Sequence, residues 1–328
     1  MKAMVITRPG GPEVLQLADV SDPQPGPEDL LVRVRAAGLN RADLLQRAGG
    51  YPQPGRAQAV EVPGLEFAGE VVGVGERVEG FATGDRVMGL LAGGGYAELV
   101  VTHHRLAMKV PENLGWTEAG ATPEVWITAH DALLQCEISA GDAVLVHAAG
   151  SGVGVAAIQI AKLLGARLVL GTAGSDEKLA RAKALGLDVG INYRTGDFAE
   201  ETLRATGGAG ADVILDVIGA DYWDRNMRAI ARKGRMVIVG LMGGASTTAN
   251  IGVLLQKRLQ VRGTTLRARP LEEKALATRA FERAVLPHIA SGRMQVVVDR
   301  VFPLAEAGAA HEYMASNANF GKIVLEMG

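Results

Sequence analysis

The chain changes its hydrophobic rhythm once, near residue 122. Before that point apolar and polar positions alternate with the period of two that a half-buried strand requires. Ala3-Met4-Val5-Ile6 opens one such segment, and LLVRVRA at 30–36 sets Arg33 and Arg35 on the face opposite Val32 and Val34. The stretch VPGLEFAGEVVGVGERVEGFATGDRVMG then carries seven glycines between Gly64 and Gly89. Short strands broken at this spacing predict a small barrel. Beyond residue 122, strand-like runs at 143–148, 167–172, 188–192, 212–217 and 235–240 alternate with helical stretches. That alternation predicts a parallel sheet with helices on both faces. Leu271 to Ala290 reads as one long amphipathic helix, with Ala277, Phe281, Ala284, Val285, His288 and Ile289 at helical spacing. Strand patterning returns in QVVVDRVF and KIVLEM, so the chain's end is expected to rejoin its beginning. The reading is an α/β protein with one domain from 1–122 and 267–328 and a doubly wound domain from 123–266.

Composition adds limits. A length of 328 residues suits two domains. With 48% apolar and 21% charged residues, and 34 basic groups against 36 acidic, the chemistry is that of an ordinary globular protein. A general nucleic-acid or membrane-surface binder is usually more basic, so neither partner is expected. Cys136 is the only cysteine, which excludes an internal disulfide and suits a reducing compartment. The N-terminus reaches Arg8 and Pro9 before any long apolar stretch, unlike a secretory signal, and a cytoplasmic location is expected. Ala143 to Ala161 carries no formal charge, yet it contains His147, Gln159 and three glycines within five residues. A strand, a turn and a buried helix explain it better than a membrane span. Glycine is in excess, 43 residues, with no three-residue period, so the glycines have local tasks.

The segment GDAVLVHAAGSGVGVAAIQIAK, Gly141 to Lys162, takes a buried strand into a glycine turn and then a helix that is apolar on every face. In that setting a glycine motif marks a dinucleotide-binding turn. A pyrophosphate rests on backbone N–H groups at the helix N-terminus, where the dipole favours negative charge, and a Cβ would hold it off. Ala149, Ser151 and Gly154 fill the usual GxGxxG positions, with Gly152 added, a departure from the strict pattern. A tight structural turn without a nucleotide is the competing reading. The end of the next strand selects the dinucleotide, because an acid there normally takes the ribose 2′-hydroxyl. Here Leu170-Gly171-Thr172-Ala173-Gly174-Ser175 contains none. Ser175 can donate to a 2′-phosphate, Lys178 can neutralise it, and Tyr193 can add a donor, which favours NADPH. Lys178 as a solvated helix residue remains open.

Two ways of polarising a substrate oxygen have no signature. None of the five tyrosines is followed by lysine four residues later, and the six histidines show no metal spacing. His103 and His104 are adjacent, a placement that in a strand points them to opposite faces.

Taken together, AGLNRADLLQR at 37–47, GLEFAGEVVGVG at 64–75, GDRVMGLLAGGGYAE at 84–98, PEVWITA at 123–129, LGTAGS at 170–175, ILDVIGADYW at 214–223, VGLMGG at 239–244 and NFGKIVLE at 319–326 resemble one family. It is the zinc-free, zeta-crystallin-like quinone oxidoreductases of the medium-chain dehydrogenase/reductase superfamily. The resemblance covers nearly the whole chain. It implies a GroES-like β-barrel catalytic domain built from both chain ends, a Rossmann domain between, and NADPH in the cleft. It implies that Asn40 and Tyr51 line the nicotinamide and acceptor pocket, and that Thr128 with Ser151, Gly152, Val153 and Gly154 contacts nicotinamide and phosphates. By the same likeness Ser175, Lys178 and Tyr193 form the 2′-phosphate site, while Met242, Gly243 and Asn319 flank the cofactor. Zinc-dependent relatives have a cysteine where Asn40 stands and a histidine where Leu65 stands. Asn40 as a helix N-cap and Tyr51 as a turn anchor remain alternatives. The expected reaction is hydride transfer from NADPH to a quinone. Reduction of an activated C=C bond and an NADPH-binding sensor with little turnover are the rivals. The strand LQVRGTT at 259–265 is expected at a sheet edge, where it can pair with its copy in a homodimer.

Overall fold

A computed structural model describes residues 1–51, 54 and 60–328. It divides into two compact units, Met1–Ile127 with Leu266–Gly328, and Thr128–Thr265.

In the first unit β1 (Lys2–Ile6) pairs antiparallel with β2 (Leu15–Asp19). The larger sheet is built on β3 (Asp29–Gly38), β4 (Glu66–Val74), β5 (Arg86–Leu90), β6 (Leu99–His103) and β7 (Ala107–Lys109). The chain's end adds β14 (Val298–Pro303) and β15 (Lys322–Glu326), giving the order β14-β15-β3-β4-β5-β7 with β6 also on β3. The link between the two ends is the antiparallel pairing of Val324 with Gly38 and Leu325 with Ala37. Alternation on β3 shows directly in burial: Leu30, Val32 and Val34 are buried and Arg33 is exposed. The inward side chains join Phe67, Val71 and Val87 in one core. Burying a phenylalanine of this kind is worth roughly 1.5–3 kcal/mol. Gly64 shows why glycine recurs here: its φ is +107°, and a Cβ would lie 2.6 Å from the Tyr96 ring.

The second unit holds six parallel strands: β8 (Ala143–Val146), β9 (Leu168–Ala173), β10 (Val189–Asn192), β11 (Ala211–Asp216), β12 (Ile230–Ile238) and β13 (Gln260–Gly263). Their order is β10-β9-β8-β11-β12-β13, all parallel. The chain leaves β8 for one side and later returns to its other side, so the carboxyl end of β8 is the switch point where such sheets bind ligands. All of β8 is buried, and so is Gly154–Ala161 of the following helix, Gly152–Leu163.

The long helix expected at 271–290 is two. Leu271–Ala284 and Leu286–Ala290 meet at Val285, whose φ and ψ are −117° and −43°. Pro287 has no N–H to continue the ladder and its ring opposes the carbonyl four residues earlier. The histidine pair also differs from expectation: β6 ends at His103, a 3-10 turn starts at His104, and the rings stack 4.9 Å apart. Among the described residues no helix is long and apolar enough to cross a membrane.

Candidate functional site

In the second unit, the turn between β8 and the Gly152–Leu163 helix opens with Ala148 at φ +52°. Ser151 is the helix N-cap, its Oγ accepting from Gly154 N at 3.0 Å. The added hydroxyl is therefore spent on the helix end, an arrangement the sequence motif does not show. The amides of Gly152 and Val153 stand in the same first turn, where a helix has no internal acceptors of its own. A Cβ on Gly154 would strike the Ala148 carbonyl and lie 2.9 Å from Ala149 Cα. That contact explains the glycine: the helix packs on the turn with no room for a side chain, which keeps the amides at the head of β8. The geometry suits a pyrophosphate.

A buried polar network supports this end of the sheet. His147 Nε2 meets Asn226 Oδ1 at 2.7 Å, and His147 Nδ1 meets Thr172 Oγ1 at 3.0 Å. Asn226 Nδ2 donates to Asp216 Oδ2 at 3.1 Å, so its oxygen faces His147 and the proton sits on Nε2. Asp216 Oδ1 in turn accepts from Ile218 N at 2.7 Å. Burial pushes His147 down to about 4 and Asp216 up to about 6. The imidazole is therefore neutral at pH 7 and ties together the ends of β8, β9 and β11.

The three residues expected at a 2′-phosphate are brought together. Ser175 caps the Asp176–Lys183 helix, its Oγ accepting from Lys178 N at 3.4 Å, and Lys178 stands partly buried in that first turn. The Tyr193 hydroxyl comes within 2.7 Å of where a Cβ on Gly174 would lie, directly before Ser175. Arg194 Nε lies 3.2 Å from the same point and was missed in the sequence. Its signal was slight, one arginine after Tyr193 in a polar loop. Met242 and Gly243 lie in the loop after β12, where Met242 N donates to Val217 O and Gly243 N to Ile218 O, at 3.2 and 2.7 Å. Thr128 opens this unit, partly buried on the Pro123–Gln135 helix.

The remaining candidates belong to the first unit. Asn40 does occupy the N-cap of the Arg41–Arg47 helix, and its backbone N donates to Asp43 Oδ2 at 2.8 Å. Its side chain serves elsewhere. Asn40 Nδ2 donates to Glu66 Oε1 at 2.9 Å, and its Oδ1 accepts from Lys322 Nζ at 2.9 Å. Lys322 Nζ also donates to Glu66 Oε1 at 2.7 Å and to Leu39 O at 2.5 Å, which uses all three of its protons. Both partners of the Lys322–Glu66 ion pair are buried. Glu66 Oε2 accepts from Glu124 N at 2.9 Å, so the first turn of the Pro123–Gln135 helix is held to the same carboxylate. Removing one partner of such a pair strands a buried charge, at a cost of roughly 3–5 kcal/mol.

Tyr51 is partly buried, and the Arg267 guanidinium stands 4.9 Å from its ring centre. Arg267 also donates to Tyr51 O at 3.1 Å, Gln46 Oε1 at 2.7 Å and Ala92 O at 2.8 Å. The Tyr51 backbone is thus anchored, and its hydroxyl makes no hydrogen bond among the described residues. Burial, opposed by Arg267, raises that hydroxyl above the usual phenol range. Burial, followed by repulsion from Glu66, pushes Glu124 up to about 8. Asn319 is spent locally, its Nδ2 donating to Gly321 O at 2.8 Å. Glu66, Glu124, Arg267 and Lys322 were not singled out from sequence. Lys322 left one trace, a lone charge at the head of the buried run KIVLE. Among the described residues no group of three or more His, Cys, Asp or Glu side chains is placed to hold a metal ion.

Two family models match the chain: an alcohol dehydrogenase GroES-like domain over residues 26–112 and a zinc-binding dehydrogenase domain over 152–282. A quinone oxidoreductase of Pseudomonas aeruginosa is 36% identical over 318 residues, covering 96% of each chain. The solved structure of Escherichia coli quinone oxidoreductase complexed with NADPH superimposes with a TM-score of 0.91 at 33% identity, covering 99% of this chain and 100% of that one. A structure described as an NAD-dependent alcohol dehydrogenase matches with a TM-score of 0.90 at 37% identity over the whole of both chains.

Proposed function

Because the chain belongs to the quinone oxidoreductase family of the medium-chain dehydrogenase/reductase superfamily, we propose that it reduces a quinone at the expense of NADPH, with Asn40 and Tyr51 holding the acceptor. The observation that carries the reading is the phosphate-ready turn at the head of β8, where Ser151 caps the helix and Gly154 leaves no side chain over the free amides. When bound, NADPH supplies a hydride from C4 of its nicotinamide. The chain's own residues do the rest. Gly152 and Val153 amides receive the pyrophosphate, and the absent side chain of Gly154 keeps that helix end close. Ser175, Lys178 and Tyr193 accept the 2′-phosphate; β9 itself ends in Gly171-Thr172-Ala173 without an acid, and the nearest carboxylates, Asp176 and Glu177, follow Ser175 in the next helix, where Asp176 is held by Asn192. Met242, Gly243, Thr128 and Asn319 border the cofactor. The Glu66–Lys322 pair holds the Asn40 amide in one orientation, and Arg267 holds Tyr51. A quinone is already electrophilic, so positioning is the main catalytic device.

Stopped-flow oxidation of NADPH against a panel of quinones tests this. Acceleration is expected with at least one, and none with any would overturn the reading. A saturated product from an enal would move the substrate class to activated alkenes.

Two further elements complete the proposal. β13 is the outer strand of its sheet, and pairing with the β13 of a second copy would cover that edge. Light scattering during gel filtration should give twice the mass of one 34.3 kDa chain, and a monomeric mass would remove the dimer. A reducing cytoplasmic location suits Cys136, whose thiol is buried and pushed up to about 11.

A further inference from the structure

Tyr96 and His311 belong to a buried chain of hydrogen bonds that ends on Asn40. His311 comes from the Ala307–Ala315 helix and Tyr96 from the segment before β6, and both residues are fully buried. Their rings meet edge to face with centres 5.8 Å apart. The Tyr96 hydroxyl stands 3.2 Å from His311 Nε2 and donates to Asp43 Oδ2 at 3.0 Å. The same Asp43 oxygen accepts from Asn40 N at 2.8 Å. Asp43 Oδ1 is buried with no hydrogen-bond partner among the described residues, so these two donors alone orient the carboxylate. On the far side of the imidazole, His311 Nδ1 faces Arg47 Nη1 at 3.4 Å.

We propose that His311 is a positioning residue for the acceptor site, acting through Tyr96 and Asp43 to fix the backbone of Asn40. The assignment rests on the reductase reading above, in which Asn40 helps to hold the quinone. The direction of every hydrogen bond in the chain follows from what each group can donate. Arginine has donors only, so Nδ1 is the bare nitrogen of the ring and the proton sits on Nε2. Nε2–H then donates to the Tyr96 oxygen, which leaves the single Tyr96 proton for Asp43. The Asp43 carboxylate accepts from Tyr96 and from the Asn40 backbone N–H on one oxygen. Reversing the ring would set a buried N–H against the Arg47 donor.

The length of the helix that Asn40 caps explains why a remote residue matters. Arg41–Arg47 has seven residues, too few to hold their shape in water, so outside contacts decide where its first residue stands. Arg47, in the last turn, reaches His311, and its Nε donates to Gly10 O at 3.2 Å. Arg41, in the first turn, donates to Met314 O at 3.1 Å and to Asn317 Oδ1 at 2.6 Å. The Ala307–Ala315 helix and the residues just after it therefore grip the short helix at both ends. Leu39 and Leu44 pack with Ala307, Ala310, Met314 and the Tyr96 ring in one core. Burial, with help from Arg47, holds His311 down to about 3, so the ring is neutral at pH 7. With its backbone fixed on Asp43, Asn40 delivers its amide to Glu66 and Lys322, which set its orientation. Without the Tyr96 hydroxyl, the Asp43 carboxylate loses one of its two anchors and Asn40 loses its fixed place.

The tautomer and the kinetics test this separately. In ¹⁵N NMR of protein labelled at its histidine rings, the signal that disappears in His311→Gln should be a neutral ring protonated at Nε2. Tyr96→Phe and His311→Leu should each lower kcat/KM for a quinone about tenfold and leave the NADPH dissociation constant unchanged, as expected when a group that positions the acceptor is displaced. His311→Gln, whose amide can donate to Tyr96 and accept from Arg47, should restore most of the rate. In an Asn40→Ala background, Tyr96→Phe should cost less than about twofold more, because residues that act through one another do not add. Tyr96→Phe carries the test if His311→Leu does not fold. A ring protonated at Nδ1, or the same loss persisting in Asn40→Ala, would overturn the assignment and leave the reductase reading intact. A wild-type protein that oxidises NADPH with none of the quinones would overturn both.

Discussion

The Arg267 guanidinium lies 4.9 Å from the centre of the Tyr51 ring and donates to the Tyr51 carbonyl at 3.1 Å. One buried cation therefore sets both the backbone and the ring plane of the residue assigned to the acceptor. A lysine keeps the charge and loses the planar fork, so it cannot serve Tyr51, Gln46 and Ala92 at once. Arg267→Lys should lower kcat/KM for quinone about tenfold, mostly through a higher KM, with the NADPH dissociation constant unchanged. It should also lower the melting temperature, since each stranded buried acceptor costs roughly 1–3 kcal/mol. A lower melting temperature with KM unmoved would make Arg267 a purely structural residue.

Cofactor choice should depend on two cations. Lys178 stands in the first turn after Ser175, and Arg194 follows Tyr193, whose hydroxyl closes over Gly174. Lys178→Ala and Arg194→Ala should each raise the NADPH dissociation constant about tenfold, equivalent to about 1.4 kcal/mol, and change that for NADH less than twofold. Fluorescence titration with both nucleotides measures it. Equal losses for NADPH and NADH would remove either residue from the 2′-phosphate site.

What could be read from the chain followed the range of the interactions. The six-stranded sheet was legible because each strand is a continuous apolar run and each helix keeps its own period. The return of the chain's end to β3 showed in KIVLEM because strand patterning is local too. The Asn40 cluster was not legible: Asn40, Glu66, Glu124 and Lys322 meet across 282 positions of sequence, and only the fold makes them neighbours. Of the two readings of Asn40, the helix end is the one the structure places, while its amide is taken by Glu66 and Lys322, partners that no local pattern announced. The break at Val285 was visible in principle, since Pro287 lies within the amphipathic pattern. There the apolar spacing, which continues through the break, hid the backbone constraint.

Ser151 separates stability from binding. Its Oγ satisfies the Gly154 amide when no phosphate is present. Ser151→Ala should cost about 1 kcal/mol as a lost N-cap in the protein without nucleotide. It also frees a donor for the pyrophosphate, so NADPH should raise the melting temperature of the variant at least as much as that of the wild type. A more than tenfold weaker NADPH complex in Ser151→Ala would show instead that the hydroxyl itself holds the phosphate.

Acid stability should report on two buried histidines. Burial lowers His147 to about 4 and His311 to about 3, in the second case with help from Arg47. An unfolded histidine titrates near 6.5. Their contribution is therefore complete above pH 6.5 and is lost as pH falls toward those values, because only the unfolded chain takes up the protons. Asp43 and Asp216, raised to about 6 by burial, act in the opposite sense, their contribution being lost as pH rises through that value. For His147 the gap of about 2.5 pH units corresponds to roughly 3 kcal/mol lost by pH 4. His147→Gln should lower stability at pH 7 by disturbing Thr172 and Asn226, yet flatten the fall between pH 6.5 and 4 by as much as about 1.4 kcal/mol per pH unit. Urea midpoints at several pH values give the slope directly. An unchanged slope would mean that His147 gains its proton within the folded protein and that the network tolerates the charge.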